Sequence, residues 1–132
     1  MFYRIHETLL CNGVFQNECL RRKEHGMLLS SHDISEHLKS LNHWHVDDAQ
    51  SLIFKEWTFG NFRAAMGFFA AVGELAERAD HHPAFMSNYT KMRIELSTHD
   101  AKGLTLKDFQ LALQIDALID NDFSGQVMNS HP

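Results

Sequence analysis

The stretch that decides the fold runs from Leu52 to Phe85, LIFKEWTFGNFRAAMGFFAAVGELAERADHHPAF. Its opening, LIFKEWTF, is rich in β-formers and stops at Gly60-Asn61, which predicts a strand running into a turn. Asn61 is a good N-cap, and Ala65, Met66, Phe69, Val72, Gly73 and Ala76 recur at the helical period, so a helix is expected as far as Ala79. Pro83 cannot sit inside that helix, which must end before it.

Working outward, Met92, Ile94 and Leu96 alternate with Lys91, Arg93 and Glu95. That period of two marks a strand buried on one face and wet on the other. Gly103 supplies a turn, Thr105 and Asp108 have capping-box spacing, and Leu111, Ala112, Ile115, Leu118 and Ile119 form the apolar stripe of a last helix. Phe109, Leu113 and Ala117 lie off that stripe and are candidates for contact with a second copy. Upstream, Asp33 with Glu36 resembles another capping box, and Ile34, Leu38 and Leu41 give a first amphipathic helix. Trp44, between His43 and His45, starts a strand before LIFKEWTF. Strands separated by helices, with a charged strand face, predict an α+β fold of two layers: an antiparallel sheet of about four strands with helices packed on one face.

The 132 residues suit one domain, read as 27–124, with an N-terminal extension at 1–26 and a frayed tail at 125–132. The extension lacks the apolar core of a secretory signal, and Glu7, Glu18 and Glu24 count against a transit peptide. No apolar run approaches the ~20 residues needed to span a bilayer. A net charge of −5 argues against direct binding to a phosphate backbone, which needs clustered Lys and Arg. Cys11 and Cys19 match neither a metal knuckle nor a disulfide framework, so a reducing compartment, the cytoplasm, is expected.

Chemistry-bearing residues concentrate after the long helix. In order they are Glu77, three residues, His81-His82-Pro83, five residues, Tyr89, nine residues, His99, eight residues, and Asp108. Taken singly, each histidine reads as an ordinary surface or core residue. Three histidines with Asp80 nearby could also ligate zinc, although an adjacent pair is an awkward ligand set and no HExxH is present. Asp108 is as readily a cap as a site residue, and Glu77 as readily a solvated helix residue. His43 and His45 read as surface residues.

The ordered spacing closely resembles the signature of the pterin-4a-carbinolamine dehydratases. The resemblance extends through the Leu52–Phe85 stretch, STH and GLTLKDFQLALQID, covering about Leu28 to Asp120. It implies removal of water from a 4a-hydroxytetrahydropterin to give the quinonoid dihydropterin, with no metal or redox cofactor. By position, His81 and His99 would be the acid–base pair, with His82 as a third essential imidazole. Asp80 and Glu77 would orient the rings, Asp108 would complete the substrate site, and Pro83 would fix the loop. Phe85 would wall the flat pterin where many members carry Trp. The resemblance further implies a homodimer or homotetramer in tetrahydrobiopterin recycling. Its alternatives are a dimerisation cofactor of a transcription factor and a pterin-binding relative in molybdopterin metabolism.

Overall fold

The computed structural model describes residues 26–129. The expected extension, with Cys11 and Cys19, lies almost wholly outside them. The order of elements is α1 (Ser31–Leu38), β1 (His45–Val46), β2 (Ile53–Phe59), α2 (Phe62–Ala79), β3 (Ala84–Asn88), β4 (Lys91–Leu96), α3 (Leu106–Leu118), a π-helical turn (Ile119–Phe123) and β5 (Val127–Asn129). The sheet is antiparallel, in the order β1-β2-β4-β3, and β5 pairs with the far end of β2. The α+β class and the covering of one sheet face by helices agree with the sequence reading.

The core follows from the register of β2 and β4. Ile53 lies opposite Leu96, Lys55 opposite Ile94 and Trp57 opposite Met92, so one set of alternate residues from both strands faces the helices. All six are buried, with Phe59 alongside. The other set faces away from the helices, where Arg93 bonds Glu56 and Glu95 at 2.9 Å and its guanidinium lies 3.8 Å from the centre of the Phe54 ring. Ala65, Phe68, Val72 and Ala76 bring α2 onto the sheet, with Phe68 ring centres 5.0 Å from Trp57 and 5.1 Å from Phe59. Leu111, Ala112 and Ile115 bury the face of α3.

Four details differ from the sequence reading. The first helix is capped by Ser30, whose hydroxyl accepts from Asp33 N at 3.1 Å, so Asp33 sits inside the first turn. Phe109 is in the core, because α1 covers it and the His37 ring lies 5.2 Å away. Residues 84–88 form an edge strand whose side chains are all exposed, a pattern without apolar alternation. Within the tail expected to fray at 125–132, Val127–Asn129 pairs as β5, Thr58 with Asn129 and Phe59 with Val127.

Lys55 is the residue that apolar patterning would not place in a core. It is 1% exposed and bonds Asp116 Oδ1 at 3.0 Å. Asp116 also accepts from Trp44 Nε1 and from Asn42 N, each at 3.0 Å. A buried charge is tolerated when it is paired and hydrogen-bonded, and here one carboxylate ties β2 and the segment before β1 to α3.

Candidate functional site

The site begins with how α2 ends. Asp80 adopts the left-handed conformation (φ 50°, ψ 45°), and the following N–H, that of His81, donates to Ala76 O at 3.1 Å. This is the closing bond of a Schellman motif, usually made with glycine and tolerated by Asp. The turn separates two adjacent imidazoles. His81 is buried, whereas the His82 side chain is 59% exposed. Pro83 follows and leads directly into β3.

His81 Nε2 meets Asp108 Oδ1 at 2.6 Å, with the carboxylate fully buried. Asp108 Oδ2 accepts from the Thr105 backbone N–H at 2.9 Å and from the Thr98 hydroxyl at 2.8 Å. Asp108 is therefore both of the things its sequence position allowed. One oxygen closes the capping box of α3 and the other holds the imidazole. Thr98 and Thr105 hydroxyls lie 2.7 Å apart, so the ends of α2, β4 and α3 converge on one hydrogen-bonded cluster.

His81 also lines a recess of about 310 Å³ with Ala79, Lys107, Gln110, Leu111 and Gln114. Its walls are about evenly apolar and polar, the polar part coming from His81, Lys107, Gln110 and Gln114. His82 Nε2 pairs with Glu77 Oε1 at 2.7 Å on the surface, where such pairs contribute little to stability. His99 is exposed in the turn after β4, its carbonyl accepting from Lys102 N at 3.1 Å while Thr98 and Gly103 close the turn behind it. Phe85 is 39% exposed and its ring packs on Phe69 at 4.7 Å.

The structure thus joins His81 to Asp108 and His82 to Glu77, and sets His99 one residue from the cluster through Thr98. Asp80 contributes the backbone turn. Thr98 was missed, yet the alternation of Met92, Ile94 and Leu96 continues through it and predicts an inward hydroxyl. Among the described residues no group of three His, Cys, Asp or Glu side chains could hold a metal ion, and no helix is long and apolar enough to cross a membrane.

Residues 27–118 match the family model for pterin 4 alpha carbinolamine dehydratase. A Chloroflexus aggregans protein, itself provisionally assigned as a pterin-4-alpha-carbinolamine dehydratase, is 42% identical over 91 residues, 69% of this chain and 96% of the relative. A Prochlorococcus marinus protein with the same provisional assignment is 41% identical over 91 residues, covering 69% and 93%. Among solved structures, the Brucella melitensis transcriptional coactivator/pterin dehydratase superposes with a TM-score of 0.66 at 31% identity, over 69% of this chain and 97% of that one. A pterin dehydratase-like protein described as a RuBisCO assembly factor in the alpha-carboxysome shares the fold, with a TM-score of 0.51 at 24% identity over 58% of this chain and 89% of that one.

Proposed function

The chain belongs to the pterin-4-alpha-carbinolamine dehydratase family, and on that premise we propose that it removes water from 4a-hydroxytetrahydropterins by histidine general acid–base catalysis. The observation that carries the reading is the buried 2.6 Å contact of His81 with Asp108 beside a recess that His81 itself lines. An imidazole held by a buried carboxylate is oriented for proton transfer, and neutral imidazole can accept or donate near pH 7.

The reaction needs two proton movements. The C4a–O bond breaks as the N5 lone pair forms the C4a–N5 double bond, so the hydroxyl takes up a proton to leave as water while N5–H gives one up. His81 and His99 are assigned to these transfers and His82 to holding the substrate. Phe85 walls the ring, and Asp80, Glu77 and Pro83 set the loop from which the imidazoles project. Because N5 supplies the electron pair, the chemistry requires neither a Lewis acid nor a redox group. The same reading assigns the protein to tetrahydrobiopterin recycling in the cytoplasm, without direct nucleic-acid binding. It acts there as a homodimer or homotetramer, in keeping with the exposed edge of β3 and with Leu113 on α3.

The test is to generate the carbinolamine in place with an aromatic amino acid hydroxylase and follow quinonoid dihydropterin formation spectrophotometrically. The purified protein is expected to accelerate the step with no added metal. Activity abolished by a chelator and restored by zinc would overturn the acid–base assignment. A protein that binds no pterin yet engages a transcription factor would favour the coactivator role named for the Brucella structure.

A further inference from the structure

We propose that Thr98 is a positioning residue: its hydroxyl holds the Asp108 carboxylate on which His81 rests, and its backbone sets the start of the turn that carries His99. The inference rests on the dehydratase reading for its effect on turnover, but its structural content stands independently.

The protons and lone pairs around Asp108 can be counted. Asp108 Oδ2 receives two donors, the Thr105 N–H at 2.9 Å and the Thr98 hydroxyl at 2.8 Å. A hydroxyl has one proton, and that of Thr98 is spent on Asp108. The 2.7 Å contact between the two threonine hydroxyls must then be donated by Thr105, whose own oxygen accepts from Lys107 N at 3.3 Å. The chain of donation runs one way, from Thr105 to Thr98 to Asp108. It ends on a carboxylate that already accepts twice and whose other oxygen lies 2.6 Å from His81 Nε2. An imidazole holds a proton more tightly than a carboxylate does, so Nε2 is the donor of that bond. The neutral ring is left with its lone pair on Nδ1, and His81 lines the recess.

Thr98 has a second effect through the backbone. It immediately precedes His99, and its N–H donates to Gly103 O at 2.8 Å. Anchoring the Thr98 side chain on Asp108 therefore sets the origin of the His99 turn relative to His81. One residue thus bears on the carboxylate that holds one proposed catalytic histidine and on the placement of the other.

Thr98→Val keeps the side-chain shape and removes the donor. The expected result is a kcat lower by about ten- to a hundredfold with KM within about twofold, the signature of a group that acts on reacting residues rather than on binding. Thr98→Ser, which restores the hydroxyl, should recover most of the loss. Independently of turnover, nitrogen-15 spectra of histidine-labelled parent protein, with His81 assigned by comparison with His81→Gln, report the tautomer. The expected neutral His81 is protonated at Nε2, and in Thr98→Val the ring signals of His81 and of His99, assigned likewise from His99→Gln, shift while those of the remaining histidines hold. A parent His81 protonated at Nδ1 overturns the proposal, as does a Thr98→Val protein whose His81 and His99 signals match the parent's. Should Thr98→Val fail to fold, Thr98→Ala makes the same comparison. A parent lacking dehydratase activity but showing both spectral results would refute the functional reading and leave this one standing.

Discussion

Replacing Asp116 with alanine isolates the largest electrostatic element of the core. The carboxylate accepts from Lys55 Nζ, Trp44 Nε1 and Asn42 N, each at 3.0 Å, and its removal strands all three donors. Asn42 is exposed and water can replace its partner, so the cost concentrates on Lys55, 1% exposed, and Trp44, 6% exposed. An uncompensated buried charge typically costs about 3–5 kcal/mol. For a domain of roughly 100 residues that corresponds to a fall in Tm of about 15–30 °C. Urea denaturation followed by fluorescence reads it directly, because both tryptophans are buried. The decisive comparison is Lys55→Met/Asp116→Ala. With no charge left in the core, the double variant should be more stable than Asp116→Ala alone. If Asp116→Ala loses less than about 1 kcal/mol, or the double variant is the less stable, the lysine is not held as described.

Three further outcomes are expected. Burial of Asp47 raises its pKa, but hydrogen bonds from Leu52 N, the Ser51 hydroxyl and Ser51 N outweigh this and leave it below the ordinary carboxylate range. Its contribution is thus present above the unfolded-state value and lost as pH falls through the lower folded-state value, so Asp47→Asn should destabilise at pH 7 and differ progressively less from the parent in acid denaturation below about pH 4. Asp80 sits at φ 50°, so Asp80→Gly should match or raise Tm while Asp80→Ala lowers it, by roughly 1 kcal/mol between the two in thermal unfolding. Deleting Met1–Gly26 should leave the circular dichroism spectrum and the dehydratase rate largely unchanged, and an insoluble or inactive product would show that the domain depends on that segment.

Much of the fold was legible because burial imposes periodicity. The alternation through Lys91–Leu96 and the helical stripe after Asn61 each record one face pressed on a core. β3 escaped because all its side chains are exposed, leaving nothing to alternate. β5 escaped because it is three residues long and placed by pairing with β2 rather than by a pattern of its own. Phe109 was misassigned because a stripe describes one packing partner, and α1 supplies a second. In the site, Thr105 and Asp108 announced a cap locally, but the second oxygen of Asp108 serves His81, 27 residues away in sequence. Only the ordered family-like spacing joined the two, and it is silent on Thr98, the residue through which β4 and the His99 turn connect to the same carboxylate.

The proposed assignment of the two protons of a pterin dehydration to particular histidines stands or falls on four alanine variants compared in the carbinolamine assay. His81→Ala and His99→Ala should each reduce turnover by roughly 10²–10⁴-fold while retaining the parental fold. His43→Ala and His45→Ala, beside β1 at the sheet edge opposite β3, should leave it within about threefold, since a substitution away from the site changes little. Equal losses in all four variants, or full activity in His81→Ala, would contradict the account.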